Sequence, residues 1–218
     1  RKNIRCSSSM DNYALAVWHA KALIEEKKII TQNKYNNKLL TEEFINDLKK
    51  LSIFDEGPLL AQELLLKIGV KLLILPHLKK TYIDGAVFFN ENNTPIIILT
   101  LRYDRVDYFW FTLFHEIAHL KLHLKDKDSC YIDDLKSNQQ LSKKEKEADY
   151  FAESKLISKD IWKKIYSDFV ESDQIIEYSN TYRISKAIIA GRIQKERNNY
   201  SLFRKFLGQG TVKNLFGG

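Results

Sequence analysis

The feature that most constrains this chain is the run Phe109-Trp-Phe-Thr-Leu-Phe-His-Glu-Ile-Ala-His-Leu-Lys-Leu-His-Leu124. It contains no Pro or Gly and is apolar enough to be a buried helix, yet it carries His115, Glu116 and His119. A buried helix does not accommodate two imidazoles and a carboxylate unless they are paired, because an unpaired buried polar group costs several kcal/mol. Residues four apart on an α-helix lie about 40° apart around the axis. Both imidazoles can therefore reach one metal ion from one face. Glu116, one step round, can reach a water on that ion. This is the His-Glu-x-x-His arrangement, in which the histidines bind zinc and the glutamate is the general base. The bland alternative is a helix whose histidines hydrogen-bond within the core.

A catalytic zinc takes three protein ligands plus water, a structural one four protein ligands. The downstream candidates are His123, Cys130, Asp133, Asp134, Glu145 and Glu147. The segment Glu145-Lys-Glu-Ala-Asp149, on the next helix, is the sharpest. Glu145 is placed to ligate the metal. Asp149, one turn later on the same face, is placed to accept the N–H of a ligating histidine and fix its tautomer. Ser142-Lys-Lys-Glu145 also reads as a capping box, in which Glu145 bonds the cap's backbone N–H and Glu147 becomes the alternative ligand. His123 lies one turn beyond His119, where it can approach substrate or metal or pack near the helix end. It lacks the spacing of the metzincin third histidine. Cys130 is an option as a fourth, inhibitory ligand. His123, Tyr131 and Arg192 are the candidate oxyanion donors. His19 and His77 stand isolated.

Around this helix the patterning predicts an α+β fold, mostly helical, with a small three-stranded sheet packed on the metal helix. Helical periodicity covers 11–29 and 41–51. A third helix, 59–68, ends at Gly69, a natural residue for the turn after a helix. Strand 70–75 is stopped by Pro76. Runs 82–89 and 95–101 read as a hairpin joined by Asn90–Thr94, and one of its strands is expected to offer an open edge to an extended peptide. Residues 125–140 read as loop, and further helices are expected at 142–157, 158–170, 173–179 and 185–197. The Gly-rich tail from Gly208 reads as loose. The expected organisation is an N-terminal helical connector (1–50), a metal-binding core (51–157), and a C-terminal helical extension with a flexible tail (158–218).

The net charge of +7, from 35 Lys+Arg against 28 Asp+Glu, invites a nucleic-acid reading. Much of it is local: residues 183–205 carry seven basic side chains and one acid, Glu196. That stretch can contact phosphates or a protein partner, though a modest basic balance is usually a solvated surface. The apolar run Pro95–Leu101 is far shorter than the roughly 20 residues that cross a bilayer, and no apolar signal segment follows the basic start. Cys6 and Cys130 lie far apart, so no disulfide scaffold is expected, and a reducing cytoplasm fits best.

The stretch Leu101–His123, followed by Glu145-Lys-Glu-Ala-Asp-Tyr-Phe-Ala152, resembles the ImmA/IrrE family of metallopeptidases. It is most similar to the subgroup fused behind a helix-turn-helix and labelled HigA-like antitoxins. Gly69-Val70, Gly85-Ala86 and Ile189-Ala-Gly-Arg-Ile193 add to the resemblance, which covers roughly residues 40–200. The family's acidic pattern usually ends in Asn where this chain has Asp149, a departure that makes it more gluzincin-like. The resemblance implies a Zn2+ peptidase, with His115, His119 and Glu145 as ligands and Glu116 as catalytic base. It implies a protein substrate, typically a repressor, in stress or mobile-element control. The alternative it leaves open is a non-proteolytic antitoxin or regulator module that binds a toxin or effector. It implies contact with DNA only through a helix-turn-helix preceding Arg1; residues 1–50 show none.

Overall fold

The computed structural model describes residues 2–5, 11–124, 130–133, 142–166 and 170–217. Asp134 and Cys6 lie outside them. The architecture is α+β and mostly helical, as expected, but the sheet is larger than three strands. Four strands form its body: β2 (Lys71–Ile74), β3 (Gly85–Phe89), β4 (Pro95–Leu99) and β5 (Cys130–Asp133). A short strand, β1 (Lys2–Arg5), extends it at one edge, giving the order β1-β5-β3-β4-β2. The hairpin β3–β4 is antiparallel, β5 joins β3 antiparallel, and β1 and β2 add parallel to β5 and β4.

The additional strand β5 falls inside the segment 125–140, which its polar composition marks as loop. Four residues between polar flanks carry too little periodicity to announce a strand; backbone pairing with β3 creates it. The pairing also corrects the expected open edge. Both hairpin strands are interior, β3 between β4 and β5, and β4 between β3 and β2. Neither can accept an added peptide strand, since its backbone groups are already paired.

Both faces of the body β2–β5 are covered, which is why these strands are largely buried along their length rather than alternating. On one face, Leu73, Leu75, Ala86, Phe88, Ile96, Ile98, Cys130 and Ile132 pack against Leu15, Trp18 and Ala22 of α1 (Asn12–Glu25). Trp18 is fully buried and its indole donates to the Pro76 carbonyl at 3.2 Å. Just beyond α1, buried Glu26 accepts from Lys71 Nζ at 2.6 Å and from Asn90. On the other face, Leu72, Val87, Ile97, Leu99 and Tyr131 join the larger core around α4 (Val106–Ala118).

That core continues through α2 (Glu42–Lys50), α3 (Gly57–Lys67), α5 (Lys143–Leu156), α6 (Lys159–Ile165), α7 (Ser172–Tyr182) and α8 (Lys186–Glu196). The small residues Ala148 and Ala152 let α5 lie close along α4. Arg105, which precedes α4, grips Asp107 with two bonds of 2.9 and 2.7 Å and reaches Gln194 of α8 at 3.0 Å. Gly69 ends α3 with φ +77°, as its position implies.

The tail expected to be loose is instead docked. Asp104 Oδ1 accepts from the backbone N–H of Val212 and Lys213, capping α9 (Val212–Leu215), and Val212 is fully buried. Glycine content alone misses this because the anchoring carboxylate lies more than 100 residues away in sequence.

Because α1 covers one whole face of the sheet, Trp18→Ala is expected to destabilise the protein by about 3–5 kcal/mol, the cost of emptying a fully buried indole site. Denaturant unfolding measures it. A loss below about 1 kcal/mol would show that α1 is a mere connector.

Candidate metal centre

Helix α4 presents His115, Glu116 and His119 to the sheet, all fully buried. After Ala118 the helix widens into one π-turn, His119–His123, marked by the Leu124 N–H bonding back to His119 O at 2.8 Å. Such turns recur at functional sites because they re-aim side chains. Here the turn is tied to the segment before α2, where Lys121 Nζ donates to Leu40 O and Asn37 Nδ2 donates to Lys121 O at 3.2 Å.

The two Nε2 atoms of His115 and His119 approach to 3.0 Å. Glu145 Oε2, from the first turn of α5, lies 3.3 Å from His115 Nε2 and 3.5 Å from His119 Nε2. Asp133 Oδ2, from the end of β5, lies 3.6 and 3.5 Å from the same two atoms. The four residues each offer one ligand atom, all within 4.8 Å of one another. The adjacent donors of a tetrahedral zinc, at bonds of 2.0–2.1 Å, are separated by about 3.3–3.4 Å. The observed spacings bracket that value, the set is the N/O mixture zinc accepts, and Asp133 has no geometric hydrogen bond on either oxygen among the described residues. A divalent metal fits this group.

Each histidine turns its other nitrogen to a partner, which fixes the tautomer that exposes Nε2. His115 Nδ1 faces Asp149 Oδ1 at 2.9 Å, the place the sequence spacing indicates for Asp149. His119 Nδ1 meets His123 Nδ1 at 2.9 Å, and His123 Nε2 meets Glu147 Oε2 at 3.0 Å. This corrects two expectations. Both nitrogens of His123 are engaged within the site, so neither is available for an oxyanion. Glu147, the alternative ligand, is instead the outer end of that chain. Tyr131 stacks on His119, with centroids 4.4 Å apart. Its hydroxyl accepts from Lys144 Nζ at 2.6 Å and donates to His123 O at 3.4 Å, so it too is committed. Arg192 donates to the carbonyls of Glu153 and Ile157 at the end of α5 and lies over the Trp162 ring. Those contacts satisfy a helix terminus rather than supply an oxyanion donor.

Of the expected capping box at Glu145, the half made by the Ser142 side chain is present. Ser142 Oγ accepts the Glu145 backbone N–H at 3.3 Å, while the Glu145 carboxylate turns to the histidines. Cys130, the option for an inhibitory ligand, faces α1 on the opposite side of the sheet. Strand alternation decides this: Tyr131 and Asp133 share the α4 face, Cys130 and Ile132 the other. Asp133 is therefore the residue that the sequence underweighted. A Tyr-x-Asp alternation was the only local signal.

Gly85 is paired with Asp133 in the β3–β5 register. A Cβ there would collide with Glu116 Oε1 and come within 2.8 Å of Thr112 Cγ2. The glycine gives the Glu116 carboxylate its space beside the donors. Burial drives the Glu116 carboxyl well above the usual range, and the charges of Asp133 and Glu145 add to this while His115 opposes it. Burial likewise raises Asp133, against the pull of His115 and His119. Burial disfavours a charge on His115, but Asp133, Asp149 and Glu145 outweigh it and raise the imidazole well above its ordinary value. Glu145 is opposed by burial yet lies well below the carboxylate range, held there by hydrogen bonds with both histidines.

The fold and this centre define a protein with a buried group of two histidines and two carboxylates that could hold a metal ion, with a further carboxylate beside it. Residues 66–194, more than half of the chain, match the family model Peptidase_M78, the IrrE N-terminal-like domain, and the chain belongs to that family. No curated protein matches the chain. The family supports a metal-dependent peptidase, in agreement with the resemblance seen in the sequence. No helix among the described residues is long and apolar enough to cross a membrane.

Metal binding requires a neutral His115, whereas the metal-free group favours its protonated form. Zinc binding is therefore expected to release protons at neutral pH, and affinity is expected to weaken as pH falls. Calorimetry in buffers of differing ionisation enthalpy measures the release. Binding without proton release between pH 6.5 and 7.5 would contradict the raised His115.

Proposed function

We propose that this chain is a zinc metallopeptidase that hydrolyses a peptide bond in a regulatory protein such as a repressor. His115, His119 and Glu145 hold the metal, and Glu116 is the general base. The observation that carries the reading is Glu116 itself. It is fully buried, neither oxygen has a hydrogen-bond partner among the described residues, and space is reserved for it by Gly85. A structural site has no use for such a carboxylate, which costs stability unless it acts.

Bound zinc would supply an acidified water and polarise the scissile carbonyl. Glu116 takes a proton at one carboxylate oxygen and delivers it to the departing amine. Burial raises its affinity for protons above that of an ordinary carboxylate. Asp149 and His123 hold the two imidazoles in the tautomer that turns Nε2 inward. Family membership supports the peptidase class; the regulator as substrate, a cytoplasmic setting and stress or mobile-element control rest on the resemblance.

A second reading, a non-proteolytic antitoxin or effector-binding module, is favoured by one observation: Asp133 brings the protein donors to four, the number of a structural site.

Glu116→Gln is expected to keep zinc at the wild-type stoichiometry and lower cleavage of a candidate repressor by about 10²–10⁴-fold. Metal analysis and a cleavage assay with and without chelator measure it. Undiminished cleavage by the zinc-loaded variant would remove Glu116 as base. Absence of chelator-sensitive cleavage beside tight toxin binding would favour the second reading.

A further inference from the structure

We propose that Asp133 is a displaceable fourth ligand that closes the metal centre at rest, so that peptide hydrolysis requires its carboxylate to leave. The regulatory part of this inference rests on the peptidase reading; the coordination part does not.

Three observations carry it. Asp133 Oδ2 sits almost as Glu145 Oε2 does with respect to the two histidine nitrogens: 3.6 and 3.5 Å against 3.3 and 3.5 Å. The two carboxylates are thus equivalent donors from opposite sides, one from the sheet and one from α5. Next, the Asp133 side chain is fully buried, and no hydrogen bond holds either oxygen among the described residues. An aspartate in that position is costly unless a cation faces it. Lastly, its support differs from that of the histidines. The tautomers of His115 and His119 are fixed by Asp149 and His123. Ligating carboxylates are ordinarily hydrogen-bonded themselves. Asp133 is anchored through its backbone, its carbonyl accepting from Asp84 N–H at 2.8 Å, while its carboxylate meets the two histidines and Glu116 and has no outer hydrogen-bond donor among the described residues.

The position of Asp133 opposite Gly85 also sets its carboxylate beside that of Glu116. The fourth donor thus occupies the neighbourhood that a water activated by Glu116 needs. A site with four protein donors has no vacant position for that water. Displacement of one carboxylate restores it without disturbing the other three donors.

The test uses the full chain loaded with cobalt(II), whose visible spectrum reports coordination, and acetohydroxamate as a probe of an open position. In the wild type the hydroxamate is expected to leave the spectrum unchanged at concentrations that saturate Asp133→Ala. Asp133→Ala and the isosteric Asp133→Asn are expected to bind cobalt at least about tenfold more weakly and to show altered bands. Identical spectra and cobalt affinities in wild type and variants would overturn the proposal. So would hydroxamate saturation of the wild-type cobalt protein at sub-millimolar concentration, a measurement that needs no variant to fold. For zinc-loaded protein, repressor cleavage at least tenfold faster in a variant than in wild type supports both coordination and regulation; equal cleavage overturns the closure. An opened centre that cleaves nothing leaves Asp133 as a ligand and overturns the peptidase reading instead.

Discussion

The structure depends on placing two imidazoles and three carboxylates in one buried space between a helix and a sheet. Left unpaired, each buried charge would cost several kcal/mol. The groups are tolerable because they face one another: the histidines converge to 3.0 Å with carboxylates from two other elements around them. The same convergence that makes the charges tolerable to the fold makes them a candidate metal site. The elements that deliver the donors are held by their neighbours, with α4 buried along this face and β5 paired on both sides.

Three elements far apart in sequence meet at this point, and each arrives by a simple rule. On α4, four-residue spacing aligns His115 and His119. On α5, the Ser142 cap sets the start of the helix, Glu145 sits in its first turn, and Asp149 follows one turn later. On β5, two-residue alternation puts Tyr131 and Asp133 on the α4 side and sends Cys130 to the other. The π-turn adds a fourth device, bringing His123 against the Nδ1 of His119 and linking it to Glu147. The outer groups are asymmetric: one histidine is backed by a carboxylate, the other by a second imidazole.

The basic balance of the chain is chemically separate from this centre. In the stretch 183–205, Arg192 is spent on the end of α5, Lys195 pairs with Glu153, and Arg197 lies over Tyr166. These contacts knit the C-terminal helices to the core, which lessens the weight of the stretch as a phosphate-binding surface.

What the sequence determined by itself is local. The metal helix, its two histidines and the neighbouring Glu116 were legible because helical periodicity is a property of consecutive residues. Glu145 and Asp149 were legible for the same reason, and so were the hairpin and the stop at Gly69. The tertiary structure decided everything that depends on pairing across long separations. It made a strand of four residues in a polar segment, closed the hairpin's edges by placing partners on both sides, docked the tail onto Asp104, and turned Asp133 rather than Cys130 toward the histidines. Register between strands is set by the whole face being buried, not by the strand's own residues. For that reason Asp133, unremarkable among the downstream acids, came to lie with His115, His119 and Glu145 in the candidate centre.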